Sequence, residues 1–166
     1  MQIRASKLKE MHPSPPRASK SHRASGDLAD FTTTFTFIID SEGNSTYADG
    51  LAFFLADFST PLNRTLTRGG GLALMNEFIP KSPDPFVAVV FDTYSHPHHR
   101  PMTNVSINIR SVVKPVNITP WFNNVTQGVE NNASITYNAT SKILQVVFTG
   151  FWNGQHLTDS LAMRKF

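Results

Sequence analysis

Phe31-Thr-Thr-Thr-Phe-Thr-Phe-Ile-Ile39 is the stretch from which the fold is read. Phe31, Thr33, Phe35, Phe37 and Ile39 alternate with Thr32, Thr34, Thr36 and Ile38. Successive side chains of a strand point to opposite faces, so this period of two, with β-branched partners, predicts a strand with one face buried. Asp40-Ser-Glu-Gly-Asn-Ser45 follows it and carries turn chemistry: short polar side chains around a Gly. Working outward, residues 51–56 and 86–91 are short apolar runs, each read as a strand buried on both faces. Val105, Ile107 and Ile109 alternate with Ser106, Asn108 and Arg110. Residues 134–137 and 143–148 predict a hairpin around Asn138-Ala-Thr-Ser-Lys142. No stretch carries the period of an amphipathic helix. The expected class is all-β, an antiparallel sandwich or barrel.

The chain has 166 residues, enough for one domain with a real core, and 40% of them are hydrophobic. It contains no Cys, which excludes a disulfide scaffold, a zinc ribbon and thiol chemistry. No apolar run approaches the roughly 20 residues that a membrane-spanning helix needs. The net charge is +3, but six of the 15 Lys and Arg lie in residues 1–26 beside a single acid, Glu10. Residues 27–166 hold nine basic and eleven acidic side chains, a net of −2. The basicity therefore belongs to a tail, and the footprint of a nucleic-acid-binding face is not expected on the part that folds. Residues 1–26, rich in Lys, Arg, Ser and Pro and without hydrophobic period, are read as disordered, with the folded domain over 27–166. They lack the apolar stretch of a secretory signal.

Asn-x-Ser/Thr acceptors stand at Asn44, Asn63, Asn104, Asn117, Asn124, Asn132 and Asn138. One such motif says little, but this density, mostly in predicted loops, points to a secreted glycoprotein. Catalytic patterns are missing. Gly69-Gly-Gly71 is followed by no Lys-Ser/Thr, so it is not a phosphate loop. The four Glu are Glu10, Glu42, Glu77 and Glu130, and none is paired with another carboxylate as glycoside hydrolysis requires. No Gly-x-Ser-x-Gly elbow occurs. An enzyme is not expected.

Several segments, in order, resemble the legume (L-type) lectin domain. They are Tyr47-Ala-Asp-Gly-Leu-Ala-Phe-Phe-Leu-Ala56, Gly69-Gly-Gly-Leu-Ala-Leu74, Phe86-Val-Ala-Val-Val-Phe-Asp-Thr-Tyr94, Asn104-Val-Ser-Ile-Asn-Ile-Arg-Ser111, and the stretch 133–150. The wording is most similar to the extracellular lectin domains of plant receptor-like kinases, and the likeness spans residues 27–161. The resemblance implies a jelly-roll β-sandwich with a flat back sheet and a curved front sheet, here expected to be incomplete. It implies glycan binding without chemistry, an extracellular or plasma-membrane-associated location, and often a homodimer. A sandwich short of strands is also expected to be marginally stable.

Site residues follow by the same resemblance. Asp49, after a cis peptide, matches the carboxylate that accepts hydrogen bonds from sugar hydroxyls. Gly70, or Gly71 one residue on, matches the backbone N–H donor. Tyr94 matches the aromatic that covers the apolar sugar face, and His96 stands where an Asn contacts both sugar and Ca²⁺. These residue types suit those roles: a carboxylate accepts, a Gly admits close backbone approach, a ring covers C–H groups.

The family also uses Ca²⁺ and Mn²⁺, held by oxygen-rich ligands. Asp92 and the Tyr94 carbonyl match metal ligands. The other positions depart: Val90 replaces a Glu, His96 an Asn, Arg100 a second Asp, and Asn104 a His. One carboxylate and a permanent cation cannot offset two divalent ions, so no metal cofactor is expected. Asp92 is expected to pair with Arg100 instead, and Ala48-Asp49 to relax to trans, weakening sugar binding. His96, His98 and His99 with Asp92 are residue types that hold Zn²⁺ or Cu²⁺. Against that stands a plain polar loop, His-Pro-His-His-Arg100, which is the favoured reading. The rival function is a lectin-like protein without sugar activity, acting through protein–protein contacts in defence or signalling.

Overall fold

A computed structural model describes residues 2–8, 29–56, 69–76, 78–94 and 103–164, the first of these segments as backbone. The strands are β1 (Gln2–Leu8), β2 (Phe31–Asp40), β3 (Gly50–Ala56), β4 (Phe86–Asp92), β5 (Asn104–Ile109), β6 (Asn117–Pro120), β7 (Glu130–Asn138), β8 (Ile143–Trp152) and β9 (Gln155–Arg164). They form a five-stranded sheet in the order β1-β2-β7-β8-β9 and a four-stranded sheet in the order β3-β4-β5-β6. Every pairing is antiparallel. The all-β sandwich is the class expected.

β2 carries the alternation that defined it: Thr33, Phe37 and Ile39 are buried, while Thr32 and Thr34 face out. The outer face is laced by hydroxyl and amide contacts to β7, Thr32–Thr136 at 3.1 Å and Thr36 to Asn132 at 2.7 Å. The predicted hairpin is β7–β8, with Ser134 opposite Val147 and Tyr137 opposite Leu144.

The inner faces of the two sheets meet in a single core that includes Phe37, Ile39, Val89, Phe91, Val105, Ile107, Trp121, Ile135, Val146 and Phe148. Phe91 is its centre. Its ring stands edge-on to Phe37 at 5.0 Å, Trp121 at 5.5 Å and Phe148 at 6.0 Å. Such edge-to-face pairs add to the gain from burial alone. The Trp121 indole N–H donates to the Thr149 carbonyl at 3.0 Å, and the Phe151 N–H donates to the Phe122 carbonyl at 2.8 Å. Gly150 permits this approach, because a Cβ there would drive into the Phe122 carbonyl oxygen.

A second, smaller cluster of Met75, Phe86, Ala88 and Val90 lies with Leu72, Leu74, Ile79 and Val112 packed against it. Val89 and Phe91 belong to the main core and Val90 to this one, so β4 is buried on both faces as its apolar run implied. β3 is not. It is the edge strand of its sheet, and Phe54 is exposed. An apolar run next to one neighbour only does not guarantee two covered faces.

Three strands escape a reading by periodicity. β1 lies in the segment expected to be disordered, yet its backbone pairs with β2 from Gln2 opposite Asp40 to Leu8 opposite Phe35. It supplies hydrogen-bond partners that β2 would otherwise lack on that side, and a register shift between Ala5 and Lys7 breaks any pattern. The rest of residues 1–26 lies outside the described residues, apart from this strand. β6 has four residues, too few to show a period. β9 pairs with β8 along its whole length although its first six residues are exposed and mostly polar.

Phe91→Ala is expected to lower the unfolding free energy by about 3–5 kcal/mol in denaturant titration. Phe54→Ala, at the exposed edge, is expected to cost under about 1 kcal/mol.

Candidate functional site

Strand alternation carries the site out of the core. On β4, Phe91 points inward and Asp92, the next residue, lies on the opposite face. Gly50 of β3 pairs with Asp92, and Asn104 of β5 pairs with it from the other side. The Asp92 carboxylate accepts the Tyr94 backbone N–H at 2.8 Å through Oδ1 and faces Asn104 Nδ2 at 3.4 Å through Oδ2.

Asp49 precedes Gly50, and the Ala48–Asp49 peptide is cis. The expectation of a trans bond is thus corrected. The segment is held by the sheet: the Asp49 carbonyl accepts the Thr93 N–H at 3.1 Å, and Gly50 begins the β3–β4 ladder. Gly50 has φ +130°, and a Cβ on it would collide with the Phe91 carbonyl oxygen. Only Gly satisfies both conditions.

The Gly triplet forms one turn of 3-10 helix, Gly69–Gly71. Gly71 is buried, and its carbonyl accepts the N–H groups of Leu74 and Met75 at 2.9 and 3.3 Å. Gly69 and Gly70 line an open cleft of about 1000 Å³ together with Asp49, Asp92, Tyr94 and Asn104. The apolar lining includes Val112, Val113, Pro115 and Ile118, and Val90 and Ser106 also line the cleft. Ser106 is buried and accepts the amide of fully buried Asn108 at 2.8 Å. Tyr94 is 41% exposed at the edge of the cleft.

Residues far apart in sequence therefore meet: Asp49, Gly70, Asp92 and Tyr94 share one cleft, and Gly71 stands behind it. His96, His98, His99 and Arg100 lie outside the described residues, as does Asn63. Periodicity gave no sign of the apolar lining or of the place of Asn104 within the cleft. The strand register around Asp92 is the signal that locates Asn104.

The metal positions can be tested on these residues. Val90, where a Glu would be required, is buried among Met75, Phe86 and Ala88. Asn104, where a His would be required, turns a hydrogen-bond donor towards Asp92. Among the described residues no three His, Asp or Glu side chains converge. Among the described residues, a carboxylate at Asp92 that accepts N–H donors, beside an apolar Val90, does not fit a pair of divalent cations.

The acceptors for glycans are placed as follows. Asn44 and Asn138 are exposed at turns, and Asn138 Oδ1 accepts the Ser141 N–H at 2.7 Å. Asn132 is exposed on the outer face of β7. Asn117 donates to the Ala162 carbonyl at 2.8 Å and Asn124 to Gln127 at 2.6 Å.

Residues 9–165 match the legume lectin domain family. The bark agglutinin I polypeptide A of Robinia pseudoacacia is 39% identical over 120 residues, covering 72% of this chain and 40% of that protein. Among solved structures, lectin I-B4 from Griffonia simplicifolia in its metal-free form superposes with a TM-score of 0.67 at 29% identity, over 86% of this chain and 59% of that one. Arcelin-5, a lectin-like defence protein from Phaseolus vulgaris, superposes at 0.64 with 25% identity, over 84% and 56%. The chain spans about 40% of the length of the curated relative. No helix among the described residues is long and apolar enough to cross a membrane.

Gly50→Ala is expected to destabilise the fold by more than about 2 kcal/mol, since it combines a positive φ with a backbone clash. A thermal melt against the wild-type chain reads this directly.

Proposed function

The chain belongs to the legume lectin domain family, a non-enzymatic one, and on that footing we propose that it binds carbohydrate at the Asp49–Gly70–Tyr94 cleft without the family's metal ions. The observation that carries the reading is the meeting of Asp49, Gly70 and Tyr94 in one cleft from three separate segments. In this reading the Asp49 carboxylate accepts sugar hydroxyls, the Gly70 backbone N–H donates, and the Tyr94 ring covers the C–H face. The family match adds His96, which lies outside the described residues, to the same reading. Asp92 serves as a support for the Tyr94 backbone rather than as a metal ligand. Binding is weaker than a metal-organised site would give.

The exposed acceptors at Asn44, Asn132 and Asn138 support an extracellular or plasma-membrane-associated glycoprotein, such as a receptor-like kinase ectodomain. Assembly as a homodimer through the back sheet belongs to the same proposal, as does a domain over residues 27–166 to which β1 adds an edge strand. Nucleic acid is not a partner in this reading.

A second reading is favoured by one observation, the apolar Val90 lining the cleft. It makes the chain a lectin-like scaffold without sugar activity that works through protein–protein contacts in defence or signalling. The two readings separate on a glycan array probed with purified chain, first with Ca²⁺ and Mn²⁺ and then with a chelator. Weak binding that a chelator leaves unchanged is the expected result. Asp49→Ala should then weaken it about tenfold to a hundredfold, the loss of a charge-assisted hydrogen bond. Binding abolished by the chelator overturns the metal-free site. No binding in either condition, by a chain that melts cooperatively, favours the scaffold.

A further inference from the structure

We propose that Asn104 is an N-glycan attachment site opening into the ligand cleft, so that a chain glycosylated there caps its own site. The inference rests on the carbohydrate-binding reading above. Asn104-Val-Ser106 meets the acceptor requirement. Asn104 opens β5, is half-buried, and lines the cleft with Asp49, Gly70, Asp92 and Tyr94. Its Nδ2, the atom that carries the sugar, faces the Asp92 carboxylate inside the cleft. Among the described acceptors, Asn44, Asn117, Asn124, Asn132 and Asn138 do not line this cleft.

The chemistry is transfer of an oligosaccharide from a polyprenyl diphosphate donor. The bond from the anomeric carbon to the phosphate oxygen breaks and a bond from that carbon to Asn104 Nδ2 forms. Nδ2 gives up one proton, and the diphosphate leaves with the electron pair. β5 is paired on both sides, to β4 and to β6, so the transfer takes place on the extended chain before the sheet closes. The product is compatible with the fold. Nδ2 keeps one N–H for Asp92, and the cleft of about 1000 Å³ lies at the top of the range of sites that enclose a small ligand, roughly 300–1,000 Å³. The first attached sugars then occupy the space between Tyr94 and the apolar lining. Free glycan and attached glycan compete for one volume, and the fraction of chains modified at Asn104 sets the fraction able to bind.

The test uses the full chain made in two hosts, a bacterium without N-glycosylation and a eukaryotic secretory cell. Peptide mapping after enzymatic deglycosylation in heavy-oxygen water reads occupancy at Asn104. Both preparations, and wild-type glycoforms separated by occupancy at Asn104, are then applied to the same glycan array. The expected result is occupancy at Asn104, binding by the secreted chain at least about tenfold weaker than by the bacterial chain, and full binding by the wild-type glycoform unoccupied at Asn104. An unmodified Asn104 in the secreted chain, or equal binding by occupied and unoccupied glycoforms, overturns the inference and leaves sugar binding standing. A bacterial chain that binds no glycan overturns the carbohydrate reading itself, and the capping inference with it.

Discussion

The positions of Asp92 and of the segment that bears Asp49 depend on how Phe91 packs. Its ring, with no exposed surface, fills the space between the sheets against Phe37, Trp121 and Phe148. Close-packed interiors tolerate little displacement, so the backbone on either side of Phe91 is fixed as well. The next residue is Asp92, and a strand must send it to the other face. The Phe91 carbonyl also sets the closest approach of β3, where Gly50 alone fits. One buried ring therefore determines where a carboxylate stands and where the loop bearing Asp49 begins. A site mounted on such strands inherits their rigidity.

This coupling explains which parts of the molecule were legible in the sequence. β2, β5, β7 and β8 have a neighbour on each side and one face turned to the core, so Phe37, Ile107, Ile135 and Val146 fall at period-two positions. β4 is apolar on both faces because two clusters claim it. Edge strands are read less well. β3 shares the composition of a central strand but exposes Phe54, while β9 is a full ten-residue strand written in polar residues such as Gln155, Thr158 and Asp159. Backbone pairing holds β9 in place, and backbone pairing leaves no trace in side-chain pattern. The site posed a different difficulty. Asp49, Gly70 and Tyr94 meet from three segments, and no local rule brings them together. Family resemblance linked them, and the same resemblance suggested that losing metal ligands would free the Asp49 peptide. It did not foresee that the Thr93 N–H and the β3–β4 ladder tie that segment down.

Among the described residues, short-range interactions hold the cleft carboxylate Asp92. A divalent ion organises loops through charge, which acts over several ångströms and rewards clustered carboxylates. Two of the contacts to Asp92 come from neutral donors, the Tyr94 backbone N–H and the Asn104 amide, each effective only within hydrogen-bond reach. The Val90 side chain contributes packing and no field. Such a site can keep its shape with less electrostatic pull on a ligand's hydroxyls, which is the physical basis for expecting a weaker grip. Asn104 also forms, with Val105 and Ser106, an acceptor for N-glycosylation within the cleft. The atom that faces the Asp92 carboxylate is thus the atom through which the chain can be capped, and both consequences follow from one side chain on β5.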